Sequence, residues 1–222
     1  MDNNDKSKKK HVKILGHDGL IGSNPDNKDI VELIIEDGKL PDICEKVLKY
    51  IKDNVDANVK PLVIISGGSF FLDSDEFSNA PVNFQQKLLN KVLESFEEVL
   101  NSTKQEVNLR DGVVSFASIL PQRRIFNGTE NDKFFLCQCY QRINSLIWDF
   151  NASSNISTPN IKEIIEYKII RSKGVKKNNK IKGAEQKKFS QVAFVDNDDY
   201  HFKPEIQKKF MNKIEWFFDN KL

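Results

Sequence analysis

Nucleophilic catalysis at an acyl or phosphoryl centre needs three side chains in a row: a hydroxyl or thiol, a base that takes its proton, and a group that orients the base. Parts of such a set occur at two places in the 222-residue chain. Asp198-Asp199-Tyr200-His201 puts a carboxylate three residues before a histidine, just ahead of Pro204. His17-Asp18 puts a second histidine and carboxylate directly after the apolar run Val12-Lys13-Ile14-Leu15-Gly16. The hydroxyl is what both places lack: Ser23, Ser66 and Ser69 are the candidate nucleophiles, and none adjoins either pair. Each part also has an ordinary structural reading. A histidine near a carboxylate at a strand-to-helix junction commonly serves as a cap or surface contact, and a serine after a strand commonly bonds its own backbone in a turn.

Other chemistries find less support. Cys137-x-Cys139 falls in a helical pattern, where residues two apart face different ways, and no second Cys/His pair accompanies it, so no metal is expected. Three cysteines in a chain of this length argue for free thiols over a disulfide framework. The glycines Gly16-x-x-Gly19-x-x-Gly22 have the wrong spacing for a dinucleotide fingerprint, and there is no Walker-type loop, so no cofactor is expected.

Binding chemistry is more visible. The net charge is only +2, yet Lys168, Arg171, Lys173, Lys176, Lys177, Lys180, Lys182, Lys187 and Lys188 fall in one stretch against the single acid Glu185. Such a run neutralises phosphates without reading bases, which gives strongly salt-dependent affinity for nucleic acid. Arg123 and Arg124, after another strand, add a second candidate contact. Tyr167 and Phe189 stand only at the margins of the run, so stacking on bases within it has weak support. The plain alternative is a charged insertion that stays solvated.

The elements that must position these residues follow from apolar patterning. Val12 to Leu15, Val31 to Ile35, Leu62 to Ser66, Val113 to Ala117 and Val192 to Val195 read as strands, the third ending at Gly67-Gly68. Leu40 to Asn54, Val82 to Ser102, Asp132 to Phe150 and Pro204 to Leu222 carry helical spacing. Alternation of strand and helix predicts right-handed crossovers and a three-layer α/β/α sandwich around a mostly parallel five-stranded sheet. Residues 152–191, polar and rich in Asn and Lys, read as an insertion that is partly ordered at best. The first eleven residues, charged and without an apolar stretch, read as a disordered tail before one domain over 12–222. No apolar run reaches the length of a membrane span, so a cytoplasmic or nuclear setting without membrane contact is expected.

Four blocks in chain order resemble the SGNH or GDSL hydrolases: Gly16-His17-Asp18-Gly19-Leu20, Gly38 after the second strand, Gly67-Gly68-Ser69-Phe70-Phe71-Leu72, and Asp198-Asp199-Tyr200-His201-Phe202-Lys203-Pro204. The nearest likeness is to the short SGNH-type domains of retroelement proteins and to the C-terminal domain of Oskar, where Ser118-Ile119-Leu120-Pro121-Gln122-Arg123-Arg124 is similar as well. The resemblance implies a flavodoxin-like strand order, a block-one serine as nucleophile, glycine and asparagine as oxyanion donors (Gly38 and Gly68 standing at glycine positions), and an Asp-x-x-His pair as orienter and base. This chain departs from that pattern. The nucleophile position falls on Asp18 without a gap and on Gly19 with one, and the oxyanion asparagine falls on Phe70, with Phe71 at the neighbouring acid. Loss of one oxyanion donor typically costs about two to three orders of magnitude in rate, and loss of the nucleophile more. Asp198 and His201 are then a remnant pair, and the resemblance to Oskar adds RNA as the implied partner.

Three readings follow. The first is a catalytically inactive SGNH-like binding module that holds RNA through the Lys-rich insertion. The second is a protein-interaction scaffold, for which Trp148, Trp216, Phe217 and Phe218 are the candidate exposed apolar residues. The third is an active acyl hydrolase with a displaced nucleophile.

Overall fold

In the computed structural model, residues 10–23, 25–71, 82–121, 130–170, 185–189 and 201–222 are described, and every structural statement concerns these. The elements run β1 (His11–His17), β2 (Ile30–Ile34), α1 (Leu40–Asn54), β3 (Lys60–Ser66), α2 (Val82–Asn108), β4 (Val113–Phe116), α3 (Glu130–Ser153), a single 3-10 turn (Ile161–Ile164), β5 (Glu166–Ile170), β6 (Glu185–Phe189) and α4 (Pro204–Asn220). The main sheet has four described strands in the order β2-β1-β3-β4, all parallel. This is the start of the flavodoxin-like order. The strand expected at Val192 to Val195 lies outside the described residues, as do Asp198, Arg123, Arg124, Arg171, Lys173, Lys176, Lys177, Lys180 and Lys182.

The strands are apolar almost throughout because the sheet is covered on both faces, as a parallel sheet requires. Successive side chains go to opposite faces, so the fully buried neighbours Ile14 and Leu15 seed two different cores. Ile14 joins Val63, Ile65, Val114 and Phe116 under Ile43 and Val47 of α1, Phe96 and Leu100 of α2, and Ile143 and Ile147 of α3. Leu15 joins Leu62 and Ile64 under Phe210, Met211, Ile214, Phe217 and Phe218 of α4. Register aligns Val31, Ile14, Val63 and Val114 in one row across the sheet.

Helix α1 matches its sequence-based bounds, with Pro41 in the first turn, where a missing N–H goes unused. Helix α2 runs past the predicted Ser102 because Thr103 and Val107 continue its buried stripe. The strand β1 begins at His11, one residue inside the segment read as a tail.

The largest difference lies in the segment read as an insertion. Its first part is built into the core: Ile161 and Ile165 are buried with Leu15 and Phe210. Hydrogen bonds tie it to β4, to the loop after β4 and to α3. Ser115 Oγ donates to Ser157 O at 3.0 Å, Ser118 N donates to Pro159 O at 3.1 Å, and Asn151 Nδ2 donates to Thr158 Oγ1 at 2.9 Å. The remainder contributes an antiparallel pair, β5 with β6. No helix among the described residues is long and apolar enough to cross a membrane.

Candidate functional site

Strands β1 and β3 end level with each other, His17 pairing with Ser66, so the turns that follow them meet at the carboxyl end of the sheet. Open α/β sheets place their sites there. His17 is wholly buried. Its Nδ1 accepts the N–H of Gly19 at 3.1 Å, which fixes the ring proton on Nε2, 3.0 Å from Glu32 Oε1. With both nitrogens engaged inside the protein, this histidine is a structural tie between β1 and β2 rather than a base open to a substrate.

Asp18 is the singular residue of the site. Its backbone N–H donates to Ser66 O at 3.3 Å and its carbonyl accepts the N–H of Asp37 at 3.1 Å, so it is held from both neighbouring strand ends. The side chain is buried; Oδ1 accepts the N–H of Leu20 at 3.2 Å, and Oδ2 has no hydrogen-bond partner. Burial pushes its pKa up to about 7, the backbone amides of Leu20, Asp18 and Ser69 pull the other way, and the Asp37 carboxylate pushes it up further. The carboxyl lies beside Gly67, where an added Cβ would stand 3.6 Å from Oδ2.

Around Asp18 the expected partners take other work. Gly19 has φ +86°, a conformation L side chains rarely adopt, and a Cβ there would collide with the Glu36 carboxylate. Gly68 has φ +100° and lies against the Phe96 ring. Gly38 N donates to Ile35 O at 2.9 Å. Ser66 and Ser69 are buried, and Ser69 Oγ accepts the N–H of Leu120 at 3.1 Å. Phe70 packs on the Leu15 core and Phe71 on the Ile14 core, the latter edge-to-face with Phe96 at 6.4 Å. Ser23 lies elsewhere, in a hollow of about 270 Å³ with Pro204, Gln207 and Lys208.

His201 does reach this end of the sheet. Its Nε2 stands 3.5 Å from Asp37 Oδ1, with the histidine side chain 39% exposed. Asp37 therefore links the two sequence-flagged blocks, bonded through its backbone to Asp18 and facing His201 through its side chain. Sequence reasoning singled out neither Asp37 nor Glu32. Glu32 did leave a signal, a carboxylate in the middle of the apolar strand Ile30–Ile34, paired in register with Leu15.

Cys44 and Cys139 are buried, which pushes both thiols up to about 12, so neither is an available thiolate. Among the described residues no three His, Cys, Asp or Glu side chains converge as a metal-binding set. In the basic stretch, the β5–β6 ladder sets Lys168 opposite Lys187 and Tyr167 opposite Lys188.

No family model and no curated protein matches the sequence. Solved structures do. A GDSL-like lipase from Bacteroides thetaiotaomicron matches with TM-score 0.55 and 15% identity over 96% of this chain and 89% of that one. A candidate acylhydrolase from Bacteroides fragilis matches with TM-score 0.53 and 15% identity over 97% and 88%. The OSK domain of Drosophila Oskar matches with TM-score 0.47 and 12% identity over 91% and 86%. The chain has the SGNH-hydrolase fold, an α/β sandwich with a parallel sheet.

Proposed function

We propose that this chain is an SGNH-type domain without hydrolase activity, used to bind RNA through its Lys-rich insertion. The observation that carries the binding half is the register of β5 and β6, which opposes Lys168 to Lys187. Like charges set opposite one another in an antiparallel pair are unfavourable, and a polyanion that neutralises them relieves the repulsion while releasing its own counterions. The nine basic residues between Lys168 and Lys188 face one acid, which favours a phosphate backbone over a mixed-charge protein surface.

The loss of hydrolysis rests on Asp18. In the ungapped register it stands where the family resemblance expects the serine, and it is buried with its Oδ1 bound to backbone. A carboxyl has no hydroxyl for His201 to activate. The gapped register falls on Gly19, which has no hydroxyl and whose φ of +86° is costly for any L side chain. Of the alternative nucleophiles, Ser66 and Ser69 are shut in, and Ser23 lines the hollow with Pro204 and Gln207. Phe70 serves the core, which accounts for the missing amide donor.

The scaffold alternative finds less support. Phe217 and Phe218 are buried, and the exposed Trp148 and Trp216 sit on α3 and α4, which cover opposite faces of the sheet, so they form no common patch. Two assays test the proposal together. Purified chain should retain labelled RNA on filters at low salt, and it should hydrolyse short-chain p-nitrophenyl esters no faster than its His201→Ala variant. Ester turnover that His201→Ala abolishes would overturn the inactive reading.

A further inference from the structure

We infer that the exposed face of α4 around Trp216 is the second half of the RNA-binding surface and that it selects single strands by stacking. This rests on the RNA-binding reading above and adds which kind of RNA is held. Trp216 is 52% exposed although the next two residues, Phe217 and Phe218, fill the core. A lone exposed tryptophan means little, but this one has a cationic setting. Lys221 Nζ lies over the indole, 5.8 Å from the ring centroid. Residues Lys209, Asn212, Lys213 and Trp216 follow one another at spacings of three, one and three along the helix, which places them on one stripe.

Three carboxylates around this stripe are engaged, Glu163 by Lys213 of the stripe itself, and Glu205 stands one turn before Lys209 on the same helix. Lys13 Nζ binds Asp219 Oδ1 at 2.6 Å, Glu215 Oε1 accepts the N–H of Asn27 at 3.0 Å, and Lys213 Nζ binds Glu163 Oε2 at 2.9 Å. The last contact also fixes the place of the stripe in the molecule. Glu163 belongs to the 3-10 turn that leads directly into β5, so the stripe meets, at Lys213, the turn that precedes β5. A half-exposed indole with Lys221 over the ring and Lys209 on the same stripe suits a single-stranded nucleic acid, because its unpaired bases stack on any π surface. A duplex keeps its bases stacked on each other and offers only its backbone to the same lysines.

The test uses a Trp148→Phe chain, in which Trp216 is the only tryptophan left of two. Its fluorescence is followed while a short oligouridylate, or a blunt RNA duplex of equal length, is added at low salt. The oligouridylate should quench Trp216 and the duplex should not. Trp216→Ala should weaken oligouridylate binding roughly tenfold, a typical stacking contribution, and leave duplex binding and thermal stability unchanged; Trp216→Phe should restore part of the loss. Salt-dependent binding of oligouridylate with no quenching and no effect of Trp216→Ala would overturn the stacking role while leaving the RNA-binding reading in place. If neither RNA binds at low salt, that reading fails and the inference with it.

Discussion

Asp18 combines burial, an unpartnered carboxyl oxygen and a pKa raised from 3.8 to about 7. Between those two values the folded chain binds a proton that the unfolded chain has released, so stability falls as pH rises through that window. The penalty is absent below about pH 4 and complete above about pH 7. Asp18→Asn keeps an acceptor for the Leu20 N–H and removes the ionisation. The variant should gain in melting temperature relative to the parent from pH 4 to pH 8, by the equivalent of a few kcal/mol at most. A pH-independent difference would contradict the burial of an ionisable group there. At the adjoining position, Gly19→Ser should destabilise by about 1–2 kcal/mol in urea unfolding, because φ near +86° is costly for any L side chain even after Glu36 has moved aside. Of this residue-scale picture, the sequence displayed His17, Asp18 and His201. It did not display their partners Glu32 and Asp37, because those pairings come from the register of β1 on β2 and from a chain return of more than 160 residues.

At the scale of elements, α3 is attached to the sheet by two buried amides. Asn151 Oδ1 accepts the N–H of Phe116 at 3.2 Å while its Nδ2 donates to Phe116 O at 2.8 Å, completing the backbone pairing of β4. One helical stretch earlier, Asn144 Oδ1 accepts the N–H of Ile119 at 3.0 Å. Asn151→Ala strands a buried donor and a buried acceptor, so it should cost about 2–4 kcal/mol in chemical unfolding, against at most about 0.5 for the exposed Asn90→Ala on α2. Equal, small effects would refute the clamp. Helices and strands were legible because their apolar periods are strong, as in Ile43, Val47 and Ile51 of α1 or the unbroken Leu62 to Ile65 of β3. The amide clamps were not, since a polar residue in a helix pattern gives no sign of which backbone it meets. For the same reason residues 152–165 read as part of an insertion: their ties to Ser115 and Ser118 are polar and carry no hydrophobic period.

At the scale of the whole molecule, a sheet in the order β2-β1-β3-β4 with helices on both faces brings the ends of β1 and β3 together whether or not catalysis occurs there. The two-core construction holds the fold without calling on a catalytic group. Phe70 and Phe71, at the turn after β3, seal the two cores, and Asp18 and His17 are built into the backbone hydrogen bonding of the strand ends. The densest run of positive charge falls elsewhere in the sequence, in the stretch that includes β5 and β6. The measurement that tests this separation most directly is the affinity for a fluorescent single-stranded RNA over a range of salt, for the parent chain and for a variant with Lys173, Lys176, Lys177, Lys180, Lys182, Lys187 and Lys188 changed to Gln. The expected result is a linear fall of log affinity with log salt for the parent, with a slope of roughly −0.7 for each phosphate neutralised, and a weaker, flatter dependence for the variant. Parent and variant binding with the same slope, or a parent that binds no RNA at low salt, would contradict it.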